Sequence, residues 1–386
     1  MTKEKIPDFR FSGYTDAWEE RKLGEIGTVA MNKRIFKEQT SANGDIPFFK
    51  IGTFGGRPDA YISRELFEEY KEKYPYPNEG DLLISASGSI GRIVEYKGED
   101  AYYQDSNIVW LNHSGNLNNL FLKQFYENVT WEGIEGTTIK RLYNKNILNT
   151  QIVLPSLPEQ ESIGNFFRQL DDLLTLHERK LDLLKEHKKT YLRLLFPAKG
   201  QKVPALRFDS FEGDWEEKKV GEIFKVTRGQ VLSATKVSKI KDNKNQYPVY
   251  SSQTQNNGLL GYYSECLFND AITWTTDGAN AGTVNFRKGK FYSTNVNGVL
   301  LSESGYANKM VAEILNSVAW KFVSKVGNPK LMNNVMSEIT LSLPSLPEQE
   351  AIGNFFSTLD EEITQVEKKL ASLKTMKATL LRKLFV

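Results

Sequence analysis

Cysteine is nearly absent: Cys266 is the only one in 386 residues, which excludes a disulfide framework and a thiolate zinc site. Histidine is scarce too, and His113, His177 and His187 stand at no metal-ligand spacing from one another, so no metal site is expected. Apolar runs fall short of the ~20 residues that cross a bilayer. The opening Met1-Thr2-Lys3-Glu4-Lys5-Ile6-Pro7 has no apolar stretch of the signal-peptide kind. The expectation is a cytoplasmic chain without membrane contact. An excess of either charge is also missing, since 50 Lys plus Arg against 48 Asp plus Glu leave a net charge of +2. Any affinity for nucleic acid has to come from local patches.

Apolar residues make up 40% of the chain, aromatic residues 12% and charged residues 25%, the profile of a chain that buries real cores. The length exceeds one ordinary domain, and two is the working number. Internal repetition decides how they are arranged. Pro7-Asp8-Phe9-Arg10-Phe11 with Trp18-Glu19-Glu20-Arg21-Lys22-Leu23-Gly24-Glu25-Ile26 returns as Pro204-Ala205-Leu206-Arg207-Phe208 with Trp215-Glu216-Glu217-Lys218-Lys219-Val220-Gly221-Glu222-Ile223. Leu154-Pro155-Ser156-Leu157-Pro158-Glu159-Gln160-Glu161-Ser162-Ile163-Gly164-Asn165-Phe166-Phe167 returns as Leu343-Pro344-Ser345-Leu346-Pro347-Glu348-Gln349-Glu350-Ala351-Ile352-Gly353-Asn354-Phe355-Phe356. Head and tail are duplicated, while the inserts between them diverge in sequence and length. A copied frame around two unlike inserts suggests two reading heads of different specificity on one symmetric mount.

Each tail reads as a long helix. Ser156 to Glu159 and Ser345 to Glu348 have the spacing of a capping box, and Pro158 and Pro347 fall in the first turn, where a missing N–H is harmless. Apolar residues then alternate at spacings of four and three. In the first helix the seam is Ile163, Phe167, Leu170, Leu174, Leu181 and Leu184; in the second it is Ile352, Phe356, Leu359, Ile363, Leu370 and Leu373. Such a narrow seam is that of a coiled coil. Both helices begin acidic and end basic, so an antiparallel pair sets unlike charges side by side where a parallel pair would not. About 40 residues at 1.5 Å each make a rod of roughly 60 Å. Domains at its ends would reach DNA sites no more than about 17 base pairs apart.

The inserts read as β-rich, with short apolar runs such as Asp81-Leu82-Leu83-Ile84-Ser85 and Ala271-Ile272-Thr273-Trp274 between Gly- and Asn-rich turns. After equivalent strands come Ser85-Ala86-Ser87-Gly88-Ser89-Ile90-Gly91-Arg92 and Thr275-Thr276-Asp277-Gly278-Ala279-Asn280-Ala281-Gly282. Loops of this kind expose hydroxyls, amides and N–H groups suited to phosphates and base edges. Thr137-Thr138-Ile139-Lys140-Arg141 precedes the first tail, and Arg141 is matched by Lys330 before the second. The candidate DNA contacts are therefore Arg34, Ser87, Ser89, Arg92, Lys140 and Arg141 in the first half. In the second they are Arg228, Gln230, Thr275, Thr276, Asn280, Lys330 and Asn333.

Catalytic signatures fail. Gly88-Ser89-Ile90-Gly91 is followed by no Gly-Lys-Ser/Thr, so it is no phosphate loop, and Asn328-Pro329-Lys330 does not supply the Asn/Asp-Pro-Pro-aromatic loop of a methyltransferase. One rival reading is a metal-dependent nuclease, because Asp81 followed by Glu95-Tyr96-Lys97 imitates a carboxylate and lysine metal site. Chance supplies that pattern often, and the second half has Phe286-Arg287-Lys288 at the matched position. Another rival is a purely architectural coiled-coil protein that binds no DNA.

The doubled Leu-Pro-x-Leu-Pro-Glu-Gln-Glu-x-Ile-Gly-Asn-Phe-Phe, the two tryptophan-led heads, and the phrases Gly80 to Gly91 and Tyr247 to Gly258 resemble the specificity subunits of type I restriction-modification systems over nearly the whole chain. The resemblance implies an α+β chain in which two target-recognition domains alternate with two long helices that pair as an antiparallel coiled coil, an internal pseudo-twofold repeat. It sets domain 1 at residues 1–155, helix 1 with its linker at 156–200, domain 2 at 201–344 and helix 2 at 345–386. It further implies a non-catalytic subunit of a DNA adenine methyltransferase and restriction complex. Each domain would read half of a bipartite double-stranded DNA target, and the helices would dock two methyltransferase subunits and up to two restriction subunits. No cofactor is expected in this chain; S-adenosylmethionine, ATP and Mg would belong to those partners.

Overall fold

The computed structural model describes residues 7–134, 140–253 and 255–385. Of the segments singled out above, residues 1–6, Thr137, Thr138, Ile139 and Thr254 lie outside the described residues. Contacts divide the chain into two units, Met1–Glu178 with Lys369–Val386, and Arg179–Lys368. The segments 156–200 and 345–386 are thereby each shared between the units. Among the described residues no helix is long and apolar enough to cross a membrane.

The first unit begins with β1 (Glu19–Lys22), α1 (Leu23–Ile26), β2 (Thr28–Ala30), β3 (Ile46–Phe49), β4 (Tyr61–Ile62) and α2 (Arg64–Lys73). It continues through β5 (Leu82–Ser85), β6 (Ile93–Glu95), β7 (Tyr102–Tyr103), β8 (Ile108–Asn112), α3 (Asn119–Asn128), α4 (Asn144–Asn149) and β9 (Gln151–Leu154) into α5 (Leu157–Leu194). One sheet has the order β2-β8-β5-β6, a second β4-β3-β7, and β1 pairs with β9. Strand β5 lies between two neighbours and is buried at all four positions, so it reads as a continuous apolar run and not as an alternation.

The second unit comprises β10 (Glu216–Lys219), α6 (Val220–Ile223), β11 (Lys225–Arg228), β12 (Tyr247–Tyr250), β13 (Leu259–Tyr263), β14 (Phe268–Thr275), β15 (Val284–Ser293) and β16 (Asn297–Leu301). After them come α7 (Lys309–Val318), α8 (Asn333–Ser337), β17 (Thr340–Leu343) and α9 (Leu346–Leu384). Its sheet order is β11-β16-β14-β15-β12-β13, and β10 pairs with β17. The two inserts thus share one strand topology. Ten-residue β15 runs antiparallel to β14 and parallel to β12; in the first unit β6 is antiparallel to β5 and a separate strand, β7, is parallel to β3. The divergent inserts keep the order of strands and change their lengths.

The duplicated motifs meet one another. In the first unit Arg10 Nε and Nη2 donate to the two carboxylate oxygens of Glu159 at 2.8 and 2.7 Å; in the second, Arg207 Nε and Nη2 hold Glu348 at the same distances. This corrects the capping-box reading: both glutamates are 1% exposed, and their oxygens face an arginine of the head, because a buried carboxylate needs a cation more than a helix start needs a second cap. The next residue latches the insert. Gln160 donates to Pro155 O and accepts from Asn118 N, at 2.9 and 3.0 Å. Gln349 donates to Pro344 O and accepts from Asn308 Nδ2, both at 2.9 Å. Asn118 and Asn308 are the N-caps of α3 and α7. Gly164 lets α3 approach: a Cβ there would stand 2.6 Å from Leu120 Cβ.

The first core gathers Trp18, Leu23, Phe121, Phe167 and Leu170 with Leu373, Leu381 and Leu384 of α9. The second gathers Trp215, Val220, Trp274, Met310, Ile352 and Phe356 with Leu195. Along α5, Ile163, Phe167, Leu170 and Leu184 are buried while Leu174 and Leu181 are half-buried. Along α9, Ile352, Phe356, Leu370 and Leu373 are buried while Leu359 and Ile363 are half-buried. Full burial of such a side chain contributes about 1.5–3 kcal/mol.

Candidate nucleic-acid interface

The loop after β5 is held by a short strap from the segment before α4. Gly88 N donates to Lys140 O at 3.2 Å and Leu142 N to Ala86 O at 2.9 Å, with Ser87 opposite Arg141. The loop after β14 is held the same way: Gly278 N donates to Pro329 O at 2.9 Å and Leu331 N to Thr276 O at 2.8 Å, with Asp277 opposite Lys330. Arg141 and Lys330, matched in sequence, occupy one place in two copies of this strap, and both are exposed.

Around the first strap the candidates converge on the turn 105–107. Ser87 Oγ and Arg141 Nη2 donate to Asn107 Oδ1 at 2.8 and 3.4 Å, and Arg34 Nε donates to Asp105 at 2.9 Å. Ser106, between them, has φ 55. Arg34, Lys140 and Arg141 therefore belong to one surface, with Ser87 beneath it. Arg92 is turned to another task, with Nη1 on Phe54 O at 2.7 Å, and Ser89 contributes its carbonyl to the Ser85 hydroxyl. These two fix the hairpin.

In the second unit Arg228 Nε donates to Asn333 Oδ1 at 3.3 Å, Asn280 Nδ2 to Ser252 O at 3.4 Å, and Gln230 N to Ser293 O at 3.0 Å. Thr275 and Thr276 are buried, and Thr276 Oγ1 donates to Val296 O at 3.0 Å. Ser87 is buried as well. The Thr276 and Ser87 hydroxyls hold the loops from beneath, because each loop closes over its own polar groups; buried as they are, these three side chains do not present the exposed hydroxyls expected of them.

Two residues escaped the sequence reading. Asn107 is the junction of the first surface, signalled only by its place after a Ser in a tight turn. Arg287, in β15, is 6% exposed; its Nε donates to Thr273 Oγ1 at 3.1 Å and its guanidinium lies 3.8 Å from the centre of the Tyr250 ring. Burial depresses its pKa to about 10, so it stays charged at neutral pH. Its signal was a charged residue at the strand position that Tyr96 fills in the first unit.

The residues of the nuclease reading have local partners. Asp81 Oδ2 accepts from Asn78 N at 2.8 Å and Oδ1 from Asn119 Nδ2 at 3.5 Å. Glu95 pairs with Leu82 within the sheet, and Lys97 N donates to Glu99 at 3.0 Å. Among the described residues no group of three or more His, Cys, Asp or Glu is placed to hold a metal ion.

A family described as type I restriction modification DNA specificity domain matches the chain twice, over residues 15–186 and 212–375. A putative type I restriction enzyme specificity subunit of Haemophilus influenzae is 54% identical over 152 residues, 39% of this chain and 40% of that protein, so the match spans less than half of that relative. A putative type I specificity subunit of Mycoplasma pneumoniae is 31% identical over 234 residues, 58% of this chain and 80% of the relative. The crystal structure of a type I restriction-modification system S subunit from M. genitalium shares the fold, with a TM-score of 0.73 over 99% of each chain at 18% identity.

Proposed function

Because the chain belongs to the family of type I restriction modification DNA specificity domains, we propose that it is a non-catalytic specificity subunit whose two units each read one half of a bipartite duplex target. The observation that carries the proposal is the repeated strap. A reading loop needs to be held at a fixed height over the groove by a rigid backbone, and both units hold theirs through the same pair of backbone hydrogen bonds. What surrounds the strap differs: Ser87, Asn107 and Arg34 in one unit, Asp277, Ser324 and Arg228 in the other. One mount with two chemistries suits two unlike half-sites.

The long helices are proposed to pair antiparallel as a coiled coil, to relate the units by a pseudo-twofold axis and to set the spacer between half-sites. Ion pairs inside each unit support this. In the first, Lys374 meets Glu178 and Lys377 meets Asp171, both at 2.7 Å, so that one helix ascends as the other descends. In the second, Lys185 meets Glu367 at 2.8 Å and Lys188 meets Asp360 at 2.7 Å. Lys377 and Lys188, in the later halves of their helices, meet Asp171 and Asp360 in the earlier halves, while Lys374 and Lys185 meet Glu178 and Glu367 just past the midpoints. Leu176 and Leu183 of α5 are 61% and 59% exposed, apolar positions that a partner could cover. Two methyltransferase subunits are the proposed partners, bringing S-adenosylmethionine, with up to two restriction subunits supplying ATP and Mg chemistry in a cytoplasmic assembly.

The test is methylation mapping of a host in which this gene replaces the resident specificity gene. A new methylated motif in two parts, separated by a fixed gap, is expected. Unaltered methylation despite an assembled complex would defeat the proposal.

A further inference from the structure

The register of the two hairpins places Arg287 where the first unit has Tyr96, since Phe286 pairs with Ile272 as Glu95 pairs with Leu82. Tyr96 belongs to an aromatic cluster with Tyr76 and Tyr103, and its hydroxyl donates to Glu99 O at 2.7 Å. The second unit replaces that apolar filling by a cation facing a polar cleft of about 100 Å³. Among the described residues lining the cleft there is no carboxylate, and none of the ion pairs among the described residues includes Arg287. The Tyr250 face offsets part of the loss of water. A buried cation without an anion is nevertheless destabilising, so a negatively charged group from outside would be favoured there.

The cleft is made to receive one. Ser251, Ser252, Asn257, Asn280 and Asn297 line it, and every one of these side chains can donate a hydrogen bond. Two lining residues are joined beside the guanidinium: Ser251 N donates to Gly258 O at 2.9 Å. A Cβ on Gly258 (φ +82) would stand 2.8 Å from Ser251 O and 3.2 Å from Arg287 Nη2. Asn256 and Asn257 precede it at φ 50 and 52, and left-handed residues of this kind gather at ligand clamps. A recessed cation cannot reach a base edge, which lies in a groove ~8.5 Å deep. It can meet a group that projects from the duplex.

We infer that this cleft is a receptor for one phosphodiester phosphate of the DNA, with Arg287 as the cation that meets it. The inference rests on the DNA-reading proposal above. It gives the second unit an anchor at a position where the first has Tyr96, and Arg287 acts by positioning the duplex, not by selecting a base.

The test compares wild type, Arg287→Met and Arg287→Lys in the assembled complex. Affinity for a duplex carrying the mapped motif and for an unrelated duplex is measured across a salt series. Arg287→Met should lower the slope of log K against log salt by about 0.9 and weaken both duplexes by the same factor, while Arg287→Lys keeps the slope. An unchanged slope, or a loss confined to duplexes altered at one base pair, overturns the inference. In a second arm, inorganic phosphate at constant ionic strength should raise the melting temperature of wild type more than that of Arg287→Met. If it does so while no duplex binds, the anion receptor stands and the DNA-reading proposal falls; if it does not, the receptor falls whatever the DNA result. Should Arg287→Met fail to fold, Thr273→Val keeps the charge but releases its Nε, and a uniform loss of affinity across sequences is the expected result, a sequence-selective one the contrary.

Discussion

Lys377 and Lys188 allow the packing account to be tested by contrast. Lys377 of α9 meets Glu127 of α3 and Asp171 of α5, each at 2.7 Å, with its side chain 15% exposed. Burial works against its charge, yet the hydrogen bonds and charges of Asp171 and Glu127 more than reverse this, and its pKa is raised. Lys188 of α5 meets Glu313 of α7 and Asp360 of α9 at 3.0 and 2.7 Å. The difference is Lys309, which stands 2.6 Å from both Glu313 and Asp360. Replacing Lys377 by Met leaves two half-buried carboxylates with no second cation among the described residues. The expected loss is about 2 kcal/mol, between a neutral hydrogen bond and a fully buried pair, or roughly 4–8 °C in the melting of a unit of this size. Replacing Lys188 by Met leaves Lys309 in place, and the expected loss is under about 1 kcal/mol. Because the pKa of Lys377 is raised, its contribution is present through neutral pH and disappears only as pH climbs beyond the ordinary lysine value of about 10.4. The assay is the thermal and urea unfolding of both variants and wild type at pH 7. Equal losses, or a larger loss from Lys188→Met, would refute the reasoning that a second cation decides the cost.

Other outcomes follow from the same contacts. Arg10→Met strands a carboxylate that is 1% exposed and should destabilise by about 3–5 kcal/mol, with Arg10→Met/Glu159→Met recovering much of it; a double variant as unstable as the single one contradicts this in urea unfolding. Phe167→Ala, at a fully buried seam position, should lose about 3–5 kcal/mol, against no measurable change if the seam is not packed. Burial pushes the Asp360 carboxyl up, but Lys309 and Lys188 outweigh it and hold its pKa below the ordinary value. Its contribution is therefore complete above about pH 4 and is lost as pH falls through the depressed value; Asp360→Asn should flatten that acid limb of the melting curve.

Much of the frame was legible because it rests on periodicity. Spacings of four and three put Ile163, Phe167, Leu170, Ile352 and Phe356 on one stripe of each helix, and these residues are buried. The joints were not legible. Nothing local says that Glu159 is held by Arg10, 149 residues away, and Ser-x-x-Glu has the same letters whether the carboxylate turns back to the cap or outward to an arginine. The common topology of the inserts was hidden for a related reason. Strand order is set by which edges hydrogen-bond, and backbone pairing tolerates almost any residues that suit an extended chain, as the divergence of β6 with β7 from β15 illustrates. Among the candidate contacts, the matched sequence offset singled out Arg141 and Lys330, and these two share a place on the strap. Composition could not tell which hydroxyls face inward. Thr276 and Ser87 do, because each loop closes over its own polar groups. Arg287 stayed unread since a lone arginine in a strand is ordinarily a surface residue; its burial depends on Ser251 and Gly258, which are hydrogen-bonded to each other beside it.

The central claim is that each insert reads its own half-site on a shared mount. The most direct measurement exchanges residues 225–337 for the corresponding insert of a relative, keeping both helices, and maps methylation in the host. The account predicts a motif with one half replaced, the other half retained and the gap unchanged. Loss of both halves, or a retained motif, would contradict it.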